Sequence, residues 1–118
     1  MGKFRSNCPL SRTLDIIGDK WTLLVLRDIV AFQKTTFKEL SQMPEGIATN
    51  ILSDRLSKLQ EEGFITKTQS ETNKLVFHYI PTGKAIDLIP TVMMMREWSE
   101  KYLYEEDEKP TPIGNHPQ

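Results

Sequence analysis

Cysteine is almost absent. Cys8 stands alone in 118 residues, so no disulfide can close within the chain and a disulfide-built secreted scaffold is excluded. His78 and His116 share no ligand spacing with each other or with Cys8, and no metal site is expected. No apolar run approaches the roughly 18 residues of a membrane span. The polar start MGKFRSNCP carries no signal-peptide core, which leads to an expectation of a cytoplasmic protein with no membrane partner. A glycine-rich phosphate loop, a nucleophile with a local base and paired acid/base carboxylates are missing too. Neither an enzyme nor a cofactor is therefore expected.

Strong positive charge is also lacking: the formal net charge is −1. Its distribution says more than its sum. Glu105, Glu106, Asp107 and Glu108 sit together near the end, leaving 14 basic against 12 acidic residues up to position 104, so the presumptive domain is mildly basic. That suits a local phosphate-facing patch without excluding a protein partner. With 38% hydrophobic and 26% charged residues, 118 positions suffice for one core. Residues 8–104 are expected to form one domain. The acidic, proline-containing stretch 105–118 has no periodicity and is expected to be a disordered tail.

What is present centres on TTFKELSQMPEGIATNILSDRLSKLQEE, residues 36–62, which reads as two helices joined by a tight turn. Thr36 and Glu39 have capping-box spacing, Phe37 and Leu40 supply an inward face, and Pro44-Glu45-Gly46 stops the first helix. In the second, Leu52, Leu56 and Leu59 make one apolar stripe, with Asn50, Ser53, Asp54, Ser57 and Glu61 on or near the opposite side. Gly63 is placed to end that helix in a left-handed conformation. Two β-rich segments, 64–69 and 75–80, follow with the polar loop 70–74 between them. The fold expected is α+β: a winged helix-turn-helix with flanking N- and C-terminal helices.

Those flanking helices are legible as well. Residues 1–7, with Lys3 and Arg5, form a basic arm expected to be mobile. Cys8-Pro9 opens a helix with the stripe Leu10, Leu14 and Ile17, which stops near Gly18-Asp19. The segment 20–30 is apolar on nearly every side and is expected to be a buried scaffold helix. Thr82 is placed to cap a long last helix reaching about Tyr104, kinked at Pro90. Ile86, Leu88, Ile89, Val92, Met93, Met94, Met95, Trp98, Tyr102 and Leu103 give it more apolar surface than one small domain hides, so a second copy is expected to cover it.

Taken as a set, Cys8-Pro9, Ile17-Gly18-Asp19-Lys20-Trp21-Thr22, Phe37-x-x-Leu40, Gly46-Ile47, Leu52-Ser53-x-Arg55-Leu56-x-x-Leu59-x-x-x-Gly63-Phe64-Ile65, Tyr79-x-x-Thr82 and Trp98 resemble the HxlR family of MarR-like bacterial winged-helix transcription regulators. The resemblance spans about residues 8–103. It implies homodimers, joined through the first and last helices, on near-palindromic operator DNA, most simply as repressors. It also implies a redox or electrophile-sensing role for Cys8, since several members carry a sensor cysteine there. Where the family usually reads Gly-Ile-Ser-Pro-Arg, this chain has Gly46-Ile47-Ala48-Thr49-Asn50, so the usual Ser cap and basic base-reader are missing. Thr49 is then expected to cap one residue late, and Asn50 to contact adenine where Arg would contact guanine.

On double-stranded DNA, Thr49, Asn50 and Ser53 are expected at base edges, with Arg55 and Lys58 on phosphates. Thr36 and Lys38, at a helix start with free amides, and Lys74, at the wing tip, are further phosphate candidates. Each has a plainer reading as a solvated surface residue, and Arg55 as a partner of Glu39 or Glu62. Cys8 reads either as a reactive thiol near Arg5 and Arg12 or as a small packing residue. The rival function is a winged helix that binds protein rather than DNA. No effector, operator or target gene is legible.

Overall fold

The computed structural model describes residues 2–110 as five helices and one hairpin. Helix α1 (Pro9–Ile17) opens where Pro9 lacks an amide that would go unpaired anyway, and ends at Gly18. Gly18 is right-handed, with φ −78°. Glycine is required there by close approach instead, since a Cβ would lie 2.3 Å from the Leu14 carbonyl oxygen. Helix α2 (Thr22–Val30) buries Val25, Leu26 and Ile29, as its all-round apolar pattern predicts. It also buries Asp28 completely, which periodicity does not foretell. That carboxylate is held at 2.9 Å by both Arg27 and Lys34.

The capping box at Thr36 forms as expected, with the Glu39 amide donating to the Thr36 hydroxyl and the Thr36 amide to the Glu39 carboxylate. Helix α3 (Phe37–Leu40) is nonetheless only four residues long. Beyond Leu40 the chain tightens into turns, the Gln42 amide reaching Glu39 and that of Gly46 reaching Met43, which brings Met43 into the core. Helix α4 (Thr49–Glu61) lays Leu52, Leu56 and Leu59 on that core, none more than 2% exposed. Gly63 follows in the left-handed region at φ 80°, as expected.

Strands β1 (Ile65–Gln69) and β2 (Phe77–Pro81) pair antiparallel, from Ile65 opposite Pro81 to Gln69 opposite Phe77. The hairpin tip is longer than the sequence suggests. Leu75 and Val76 leave the ladder because the Asn73 side chain and carbonyl take their amides, at 3.0 Å each. The Tyr79 amide donates to the Thr35 carbonyl at 2.7 Å, tying the wing's inner strand to the loop before α3.

Helix α5 (Gly83–Tyr102) runs continuously through Pro90 and packs its first turns, Ala85 and Leu88, against α2 and β2. Thr82 precedes it, but its side chain makes no cap. The hydroxyl is turned instead toward the carbonyls of Gly63 (2.6 Å) and Phe64 (3.1 Å), to which it donates, and the Thr82 amide donates to Phe64 as well at 2.9 Å. Beyond Leu88 the helix leaves much of its apolar surface uncovered: Met94 is 66% exposed and Trp98 59%. Leu10 and Leu14 on α1 are exposed as well, and an open groove of about 410 Å³ runs between α1 and the start of α5. No helix among the described residues is long and apolar enough to cross a membrane. Residues 105–110 include a turn closed by Glu105 and Glu108, while the rest of the expected disordered tail, 111–118, lies outside the described residues.

Candidate nucleic-acid interface

Helix α4 is pressed into the core by its leucines, and the side turned to solvent carries Thr49, Asn50, Ser53, Ser57 and Lys58, all exposed. Its start is open. Ala48 occupies the N-cap position, no side chain caps it, and no acid stands in the first turn. Thr49 is thus the first helical residue and does not take the missing cap's place, because a helical residue points its side chain away from the amides it would have to reach. An uncapped, acid-free helix start presents partial positive charge to whatever lies in front of it.

Charge along this face is arranged to limit its acids. Asp54 sits 2.6 Å from Arg55 and 3.3 Å from Lys58. The Lys58 pair is an exposed i,i+4 contact worth only a few tenths of a kcal/mol by order of magnitude. Lys58 is accordingly available for exchange onto a phosphate. Arg55 is not comparably free. Its side chain is only 21% exposed, and its Nε lies 2.8 Å from Asp19 and not against Glu39 or Glu62, the partners expected from sequence. Burial pushes the Asp19 carboxyl up, yet hydrogen bonds from Thr22, Arg55 and the Trp21 amide outweigh it and hold that carboxyl far below the usual range.

Just ahead of α3 the Thr35 and Thr36 amides donate to Glu39 at 3.0 and 3.1 Å, and a carboxylate in that place repels a second anion, so the helix start is less suited to a phosphate than the sequence suggests. Thr36 is a capping residue, and Lys38 is left as the exposed cation there. The two amides hold the Glu39 carboxyl below its ordinary value. A depressed acid stabilises the fold above its unfolded pKa, about 4.3, and that contribution disappears as pH falls through the lower folded value. Glu39→Gln is expected to cost about 0.5 kcal/mol at pH 7, given its solvent screening. Melts at pH 7 and pH 3 check this: the gap to the parent protein should narrow in acid, and a pH-independent gap would refute it.

At the wing, Lys74 is exposed beside Leu75, which is 90% exposed. The tip is braced by Gln69, whose amide donates to the Lys74 carbonyl at 2.8 Å. The basic arm is pinned down: Lys3 pairs with Glu62, Arg5 with Asp15, and Arg12 stacks on Phe4 at 4.8 Å. Cys8 is exposed at the N-cap of α1, its amide 3.2 Å from the Ser6 hydroxyl. The two arginines near it in sequence are engaged elsewhere, Arg5 on Asp15 and Arg12 on Asn7 at 2.7 Å. Among the described residues no cluster of three metal-binding side chains occurs.

Sequence reasoning missed Asp19. Its position just ahead of α2 was a capping signal, since it takes the amides of Trp21 and Thr22, but nothing local announced its second partner, Arg55.

Residues 16–107 match the sequence family described as HxlR-like helix-turn-helix. The chain belongs to that family. It is a transcriptional regulator of the helix-turn-helix type, not an enzyme. YdeP of Bacillus subtilis strain 168, an uncharacterized HTH-type transcriptional regulator, is 30% identical over 95 residues, covering 80% of this chain and 73% of that protein. Mb3122 of Mycobacterium bovis, similarly described, is 28% identical over 107 residues, covering 91% and 66%. This HxlR-like chain thus spans about two thirds to three quarters of these relatives. Among solved structures, the candidate transcription factor PA1607 superposes with a TM-score of 0.82 at 35% identity, over 92% of this chain and 75% of that one. The redox regulator HypR in its oxidized form gives 0.69 at 26% identity, over 80% and 96%.

Proposed function

We propose that this HxlR-like chain is a cytoplasmic homodimer that binds operator DNA sequence-specifically and represses transcription. The observation that carries the reading is α4: a 13-residue helix with a polar outer face and an uncapped, acid-free start, followed directly by a hairpin with a lysine at its tip. Thr49, Asn50 and Ser53 are short enough to meet base edges. Lys58, Lys38 and Lys74 are exposed cations suited to phosphates. The uncovered apolar surface of α1 and α5 supports a second copy, which would set two α4 helices about 34 Å apart for successive major grooves.

The test is a gel shift with upstream intergenic DNA at several salt concentrations. Asn50→Ala is expected to cost about 1–3 kcal/mol on the preferred duplex and to change base preference. Lys74→Ala should weaken every duplex alike and lower the salt slope by about one. Equal effects of both changes on every sequence would refute the assignment, and absence of salt-dependent binding would favour a protein partner. For Cys8, the redox description of HypR and the thiol's exposure support a sensor. Diamide should then release DNA from the parent protein and not from Cys8→Ser; a shift that the reagent leaves unchanged, or release from both, would return Cys8 to packing.

A further inference from the structure

We propose that Asp19 and Arg55 are a positioning pair that sets the rotation of α4 on the rest of the fold, an inference that rests on the DNA-binding reading. Three leucines hold α4 against the core, and apolar contact is not directional. Packed leucines resist a large turn of the helix, but a small one within the slack of the packing is left to a directional contact. A turn of about 20° moves side-chain tips by about 2 Å at the helix surface, which exceeds the latitude of a hydrogen bond to a base edge. Something directional must fix the angle.

The Asp19 carboxylate is the group placed to do so. It accepts from the Trp21 amide at 3.0 Å and the Thr22 amide at 3.1 Å, and from the Thr22 hydroxyl, all at the start of α2. It also accepts from Arg55 Nε at 2.8 Å, across the flank of α4. Arg55 in turn holds Asp54 at 2.6 Å, which draws that acid aside from the outward face. One carboxylate therefore joins the turn after α1, the start of α2 and the middle of α4. At the other end, the Lys84 ammonium donates to the Glu62 carbonyl at 2.6 Å and the Thr82 hydroxyl to Gly63, fastening the end of α4 to the start of α5. The helix is thus jointed to the turn after α1 and to the start of α5, and both α1 and α5 carry uncovered apolar surface. Arg55 acts on DNA through the orientation of Asn50 and Ser53, not through a phosphate.

The experiment compares Asp19→Asn, Arg55→Gln and the double variant for affinity on a preferred and an unrelated duplex across salt concentrations. Each single change is expected to weaken the preferred duplex about tenfold, with the double change no worse than either. The unrelated duplex and the salt slope should stay as in the parent protein. Asp19→Asn binding like the parent, or Arg55→Gln lowering the slope by about one, would overturn the proposal in favour of a phosphate contact. Asp19→Asn keeps an oxygen acceptor for the α2 amides, so it decides the matter even if Arg55→Gln does not fold. Parent protein with no sequence-preferring shift would instead remove the DNA reading. Hydrogen exchange on the free protein still tests the joint in that case: Asp19→Asn must speed exchange across residues 49–61 while leaving 22–30 protected, and unchanged exchange overturns it.

Discussion

Asp28→Ala is expected to lower the unfolding free energy by about 3–5 kcal/mol, a large share of the 5–15 kcal/mol that holds a typical domain. Asp28 is fully buried on α2, with Arg27 and Lys34 each at 2.9 Å, and Arg27 also grips both oxygens of Glu45 at 2.8 and 2.9 Å. Removing the shared carboxylate leaves Lys34, 24% exposed, without its counter-charge and Arg27, 16% exposed, with Glu45 alone, the two cations partly desolvated beside each other. Glu45 lies in the turn ahead of α4, so the loss should also loosen the entry to that helix. Urea unfolding followed by circular dichroism measures it: a lower midpoint at unchanged slope is expected. A loss under about 1 kcal/mol would mean that water replaces the carboxylate easily and that the cluster is not a structural centre.

Trp98→Glu is expected to weaken self-association at least hundredfold, about 3 kcal/mol or more, and to abolish the operator shift at protein concentrations where the parent protein binds. Trp98 is 59% exposed and tilts against Tyr102 with ring centroids 5.6 Å apart, next to the exposed Met94 and Met95 one turn back. Aromatic side chains in such a cluster dominate association when a partner desolvates them. A charge there has nothing to pair with once covered. Because the ring is exposed within one chain, the monomer should lose little stability, and melting curves at low concentration should stay close to the parent. Sedimentation equilibrium gives the decisive reading: a parent protein that stays monomeric at micromolar concentration, or a Trp98→Glu variant still dimeric there, would remove α5 as the association surface.

Much of this molecule was legible along the chain because the causes are local. Thr36 and Glu39 stand three residues apart, so their reciprocal cap follows from spacing alone. Leu52, Leu56 and Leu59 declare the buried side of α4, and thereby leave Asn50 and Ser53 on or near the opposite side. Gly63 ends the helix because only glycine adopts φ 80° without strain. Short-range reading failed where a side chain had two suitors. Thr82 has the right position to cap α5, but the hydroxyl turns to carbonyls at Gly63 and Phe64. Asn73 pulls Leu75 and Val76 out of a strand that their β-propensity favours.

The residues themselves determined which segments are helical, which side of each is apolar, and that one turn-linked helix pair precedes a hairpin, since these depend on periodicity and on caps within four positions. Only the tertiary structure decided the partners of Arg55 and the burial of Asp28. Arg55 belongs to Asp19, 36 residues away, rather than to solvent, and Asp28 is buried between two cations rather than exposed. Charges have no period along a chain and pair with whatever the folded core brings within reach, and the Coulomb attraction that joins them depends on distance and burial alone.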